Sequence, residues 1–160
     1  MDIPQLWDLG EDTGAPLDES EELARAYDAE VGMADRLRGW SGAELSVRTV
    51  DARILRGTVS EVFRDALLLD GDGGVVLVPL AAAVRLRGPR RGHVAPRGRQ
   101  RASGLGLVRD RTGSGVVVRL VDGGHERGVV GAVGADHVAL AVPGGEEIIP
   151  WPAITSIEWP

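Results

Sequence analysis

The 160-residue sequence predicts a mainly β protein with N-terminal helices, built as two tandem five-stranded small barrels, each preceded by a helix. Three observations carry that prediction. One 47-residue segment occurs twice without a gap, the period inside each copy is two, and 23 Gly and nine Pro accompany only one Tyr, one Phe and four Trp, a balance that favours turn-rich β structure over a helical bundle. With 43% hydrophobic residues the chain can bury one modest core or two small ones.

Residues 42–88 lie on residues 113–159 at a constant offset of 71, and 15 of the 47 positions are identical, among them Val47, Arg48, Asp51, Arg56, Gly57, Asp65, Leu69 and Pro79. Composition alone gives about four or five matches, so the segment is read as an internal duplication. In the second copy Val116, Val118 and Leu120 point one way and Val117, Arg119 and Val121 the other; Leu45, Val47 and Thr49 repeat the pattern. Asp122 and Gly123 supply a hairpin turn where the first copy has Asp51 and Ala52. Gly57 and Gly128 sit in the middle of the second strand, where a small barrel needs a bend. Further strands are expected at 66–70, 74–79 and 82–86, and again at 137–142, 146–150 and 154–159, five per copy.

Each copy is introduced by a helical pattern. "DESEELARAYDAEVGMADRLRGW" opens with Asp18 as N-cap and Glu21 as its capping-box partner, and sets Leu23, Tyr27, Val31, Ala34 and Leu37 on one stripe. Gly32 within it costs about 1 kcal/mol against Ala, so this helix must lean on a barrel. "RQRASGLGLVRDR", residues 99–111, is shorter and holds Gly104 and Gly106. The chain therefore divides into an acidic tail (1–17), a helix with the first barrel (18–88), an Arg/Pro/Gly linker (89–98) and a short helix with the second barrel (99–160). Edge strands left open by one copy can be satisfied by the other, so the two barrels are expected to pack together within the chain.

The net charge of −6 conceals a division: −8 over residues 1–40, −2 over 41–84, +8 over 85–111 and −4 over 112–160. The basic belt consists of Arg85, Arg87, Arg90, Arg91, Arg97, Arg99, Arg101, Arg109 and Arg111. Its arginines can neutralise phosphates along a groove, and the acidic head is the internal counter-charge that competes with that role. All 18 cations are Arg, which with the abundance of Ala, Gly and Val suggests a GC-rich bacterial genome. There is no Cys, hence no disulfide or thiolate metal site. No run approaches eighteen apolar residues, and the first thirty are acidic where a signal peptide would be basic and then apolar. A cytoplasmic protein without membrane association is the expectation.

Catalytic patterns are absent from the sequence. His93, His125 and His137 have no metal-ligand spacing, Glu146 and Glu147 read as a solvated strand edge, the glycines of "DGDGG" and "GSG" lack the Lys and following helix of a phosphate loop, and "GLG" at 104–106 has no preceding strand. The expectation is a non-enzyme without cofactor or metal.

"VVVRLVDGGHERGVVGAVGADHVAL" resembles the first motif of Sm and Sm-like (LSm, Hfq) proteins: an apolar alternating strand, an Asp-Gly turn, a bent strand with central Gly, then Asp and a third apolar strand. "EEIIPWPAITSIEW" and "VVLVPLAAAVRLRG" resemble the closing strands of the related C-terminal barrel of the ribosome maturation factor RimP, where a Pro-led turn joins the last two strands. The whole order of segments is similar to a group of actinobacterial proteins, some labelled Fis-family regulators, although no Fis-type helix-turn-helix is visible here. The resemblance implies tandem Sm-like barrels and a link to RNA. It does not carry over the nucleotide pocket: the Asn that follows the Asp of the third strand is replaced by Ala66, Leu67 and Leu68 after Asp65, and by His137, Val138 and Ala139 after Asp136. The closing Arg-Gly or Lys-His pair reads Val78 and Pro79, or Ile149 and Pro150.

Two functions follow. The first is a nucleic-acid- or ribonucleoprotein-associated regulator that grips an RNA or DNA backbone through the belt. The second is a protein-interaction adaptor without nucleic-acid binding, docking a protein partner through Leu6, Trp7 and Leu9 of "PQLWDLGED".

Overall fold

Alternation of apolar and polar residues builds the strands. In β1 (Glu44–Thr49) Leu45, Val47 and Thr49 are buried, and in β2 (Ile54–Val62) Leu55, Val59 and Val62 are. β3 (Ala66–Gly71) and β4 (Gly74–Pro79) form a hairpin, and a single 3₁₀ turn, Leu80–Ala82, leads into β5 (Ala83–Arg87). The second copy repeats the series as β6 (Gly115–Leu120), β7 (His125–Val133), β8 (His137–Val142), β9 (Gly145–Pro150), a 3₁₀ turn at Trp151–Ala153 and β10 (Ile154–Trp159). The computed structural model describes residues 19–90 and 102–160. Met1–Val31 and Gly32–Pro160 are two units, and all ten strands belong to the second.

Where the sequence suggests two barrels, the strands join in one antiparallel ten-stranded sheet that does not close, in the order β5-β1-β2-β3-β4-β10-β6-β7-β8-β9. Each copy contributes the same internal order. The outer strands of a copy do not bond each other; instead β4 pairs with β10, with Leu77 opposite Ile157, Val76 opposite Glu158 and Val75 opposite Trp159. This satisfies one edge of each copy and leaves β5 and β9 as the two ends of the sheet.

The two cores lie on opposite faces of that sheet. Leu45, Val47, Val59, Leu67, Leu69 and Val78 enclose the first, and Val118, Val130, Val138, Leu140, Ile154 and Ile157 enclose the second. β3 and β4 serve both: Leu67 and Leu69 face the first core, whereas Ala66, Leu68 and Leu77 face the second, together with Phe63. That is why these strands read as continuous apolar runs, a pattern of strands buried on both faces.

The helices differ from the sequence expectation. The single long helix is two: α1 (Glu19–Glu30) ends before Gly32, which takes extended backbone angles and caps α2 (Met33–Arg38). Leu23 and Tyr27 of the predicted stripe are exposed, while Ala34 and Leu37 on α2 pack into the first core. The capping role assigned to Asp18 lies outside the described residues. α3 (Gly104–Asp110) starts later than 99, because Ser103 caps it by accepting from the Gly106 N–H at 3.2 Å. Gly104 is buried where a Cβ would meet Ala66 Cβ at 2.6 Å, and its N–H donates to Asp65 Oδ1 at 2.7 Å. Leu105 and Val108 then reach the second core, as Ala34 and Leu37 reach the first. One swap links helix and strand: Trp40 packs against Gly88, and 71 residues on, Arg111 lies 4.7 Å over the Trp159 ring.

The two hairpin turns are equivalent but unequally suited to their residues. Gly123 has φ 88°, and its counterpart Ala52 adopts φ 64°, the left-handed region that disfavours a Cβ. Ala52→Gly is therefore expected to stabilise the protein by about 0.5–1 kcal/mol, the relief of strain exceeding the entropy cost of glycine. Thermal denaturation should show a rise of roughly 2–4 °C per kcal/mol; a fall would show that the Ala52 methyl holds the turn.

Candidate nucleic-acid interface

The register of β5, β1 and β2 gathers arginines that are scattered in the sequence. Arg48 pairs across the ladder with Arg85, while Ser46 lies between Arg87 on one side and Arg56 on the other. Directly opposed residues of antiparallel strands share a face, so these four arginines form one outward surface. They line a groove of about 110 Å³ with Ser46 and Ile54. All four are exposed, and none has an ion-pair or hydrogen-bond partner among the described residues. Like charges set opposite each other destabilise a sheet, and a bound anion removes that cost. A second groove of about 530 Å³ adjoins it, with Arg56 and Arg87 facing Glu44, Asp70 and Asp72, so its charge is mixed.

The other copy shows what the same strands look like when neutralised. Arg87 corresponds to Glu158, whose Oε1 accepts from Arg53 Nη2 at 2.7 Å and lies 3.5 Å from Arg119 Nε. Arg119 is the counterpart of Arg48. Arg85 corresponds to Ser156, which accepts from Arg53 Nη1 at 3.2 Å. A strand of this fold thus accommodates Glu or Ser at these positions, and the arginine cluster of the first copy, without ion pairs among the described residues, is a property of its own side chains rather than of the architecture.

The basic belt drawn from the sequence is divided by the structure. Arg85 and Arg87 stand in the cluster just described. Arg90 is exposed beyond β5. Arg109 donates to the carbonyls of Val133, at 3.4 Å, and Gly134, at 3.2 Å. Arg111 is taken by the Trp159 ring. These two cations serve the packing of α3 on the second copy and line neither groove. Arg91, Arg97, Arg99 and Arg101 lie outside the described residues, as do Leu6, Trp7 and Leu9.

Arg48 and Arg56 were missed because the belt followed adjacency along the chain. The signal was present: both alternate with buried residues and both recur 71 positions on, but only the strand register sets them beside Arg85 and Arg87. Among the described residues no group of three or more His, Asp or Glu is placed to hold a metal ion, and no helix is long and apolar enough to cross a membrane. No protein-family model matches the chain, and no curated protein is similar to it.

Proposed function

We propose that the protein is a non-catalytic tandem Sm-like module that associates with nucleic acid or a ribonucleoprotein by gripping phosphate with Arg48, Arg56, Arg85 and Arg87. The observation that carries this reading is the set of four arginines on one face of β5-β1-β2 that have no partner among the described residues. Guanidinium groups present planar forks that suit phosphate oxygens. Among the described residues no aromatic side chain lines the groove, so it offers bases no stacking platform and binding is independent of sequence.

Fluorescence anisotropy with labelled single-stranded RNA and duplex DNA tests it. Four neutralised phosphates give a log-log salt slope of about −2.8 on single strands and about −3.6 on duplex, or a loss of roughly 50- to 150-fold between 50 and 200 mM salt. A steeper slope adds the linker arginines to the contact. Changing Arg48, Arg56, Arg85 and Arg87 together to Ser should abolish binding with the circular dichroism spectrum unchanged, while Arg109→Ser should leave affinity as it was. Failure of the wild type to bind either probe at low salt overturns the reading and leaves the adaptor with its N-terminal Leu6, Trp7 and Leu9.

A further inference from the structure

Beside the arginine groove the strand register builds a second row of polar side chains with the charge reversed. Ser46 stands between Arg87 and Arg56 across the ladder, and two residues along the strands Thr58 stands between Glu44 and Asp70. Directly opposed residues share a face and two residues of antiparallel strand advance about 7 Å, so an acidic row runs about 7 Å from a basic one. Both rows line the groove of about 530 Å³, together with Asp72. The opposite charges do not cancel: none of Glu44, Asp70, Arg56 and Arg87 makes an ion pair or side-chain hydrogen bond among the described residues. In the second copy Gly115, Val129 and Ala141 occupy the row of Glu44, Thr58 and Asp70 in the same register, so the ladder itself has no need of acids there.

We propose that this groove binds a free ribonucleoside 5′-phosphate, with its phosphate on Arg56 and Arg87 and the cis-diol of its ribose donating to the carboxylates of Glu44 and Asp70. The inference rests on the reading of these arginines as phosphate ligands and names a small molecule that shares two of them. Ionised carboxylates accept hydrogen bonds and cannot donate, so what meets the acidic row is a donor and not a second anion. A phosphodiester strand crossing both rows would bring a phosphate against Glu44 and Asp70. A nucleotide instead ends in a neutral diol, one sugar away from its phosphate, and matches the order of the rows. Ser46 and Thr58, half-buried between the charges, add hydroxyls that both donate and accept. Among the described residues no aromatic side chain lines this groove, so the base is not read and nucleotides of every base fit alike. No three acids among the described residues are placed to hold a metal ion, and the carboxylates therefore meet the sugar directly. A nucleotide seated in this way withdraws Arg56 and Arg87 from nucleic acid, which makes the two ligands competitors.

Isothermal titration calorimetry on the full chain in EDTA, with adenosine diphosphate as the probe, is the test. Adenosine diphosphate is expected to bind about tenfold more tightly than its dideoxy analogue lacking both ribose hydroxyls, or than pyrophosphate, the difference being the charge-assisted hydrogen bonds to the sugar. Cytidine diphosphate should match it, and either nucleotide should displace labelled RNA. Glu44→Ala and Asp70→Ala should each narrow the gap between the ribose and dideoxy compounds while RNA binding keeps its affinity and salt slope. Both variants should fold, since Gly115 and Ala141 stand at the equivalent places of the second copy. A dideoxy analogue that binds as well as adenosine diphosphate, a preference that survives both variants, or no heat with adenosine diphosphate from a chain that binds RNA overturns this inference alone. Absence of binding by RNA, pyrophosphate and adenosine diphosphate together overturns it along with the phosphate reading.

Discussion

Leu77→Ala is expected to cost about 2–5 kcal/mol, whereas Ile148→Ala, the same change one repeat later, should alter the stability of the monomer by less than about 0.5 kcal/mol. The positions are equivalent by sequence and opposite by environment: Leu77 has no solvent exposure and Ile148 has 64%. Truncating Leu77 removes three carbons from the second core at the seam where β4 meets β10, and the neighbours Leu68, Val118 and Ile157 are fixed in strands that cannot collapse into the void. Urea titration of both variants at a concentration where the protein is monomeric decides the matter. Equal costs would mean that the two copies bury these positions alike and that the shared seam is wrong.

The second large effect concerns Gly57 and Gly128. A Cβ at Gly57 would lie 2.7 Å from the Asp70 carbonyl oxygen, and one at Gly128 would lie 2.6 Å from that of Ala141. Both clashes are with backbone of the neighbouring strand, which cannot rotate away, so each Gly→Val substitution must push the strands apart and break ladder bonds. Each should destabilise by about 3 kcal/mol. Gly115 supplies the control: nothing lies within 4 Å of a Cβ built there, and Gly115→Val should be neutral or mildly stabilising, since valine suits a strand. If Gly128→Val melts no earlier than Gly115→Val, close approach is not the reason that glycine stands at these positions.

Local pattern made the strands legible. Period-two burial, Asp-led turns and the repeat at 71 located the last three strands of each copy within one residue and identified the first two of each by their pattern, because each of those signals lies within the segment that it specifies. The glycine in each second strand was also visible, though its reason was read as a bend. The structure shows a close approach to the next strand, with the ladder irregularities lying further along, between Val59 and Glu61 and between Val130 and Val133. What was not legible depends on partners distant in sequence. Nothing near Val75 says that Trp159 lies opposite, and no local signal tells that Leu68 faces a different core from Leu67 and Leu69. The helix break at Gly32 was visible only as a penalty. The arginine groove was half legible: Arg85 and Arg87 stand in a basic run, but Arg48 and Arg56 join them only through strand register, while Arg109 and Arg111 leave the group because carbonyls and an indole ring engage them.

The sharing of β3 and β4 by both cores has a thermodynamic consequence. Two copies strung on a chain would melt as two events, each reporting its own stability, and either could be excised. Here Phe63, Ala66, Leu68 and Leu77, all from the first copy, complete the interior of the second. Loss of the first copy would strip that interior, and loss of the second would leave those four side chains facing water. Gly32–Pro160 should therefore denature in a single cooperative transition, with near-equal calorimetric and van't Hoff enthalpies. The gene segment was doubled, but the folding unit was not: the first copy supplies the whole of its own interior and part of its neighbour's.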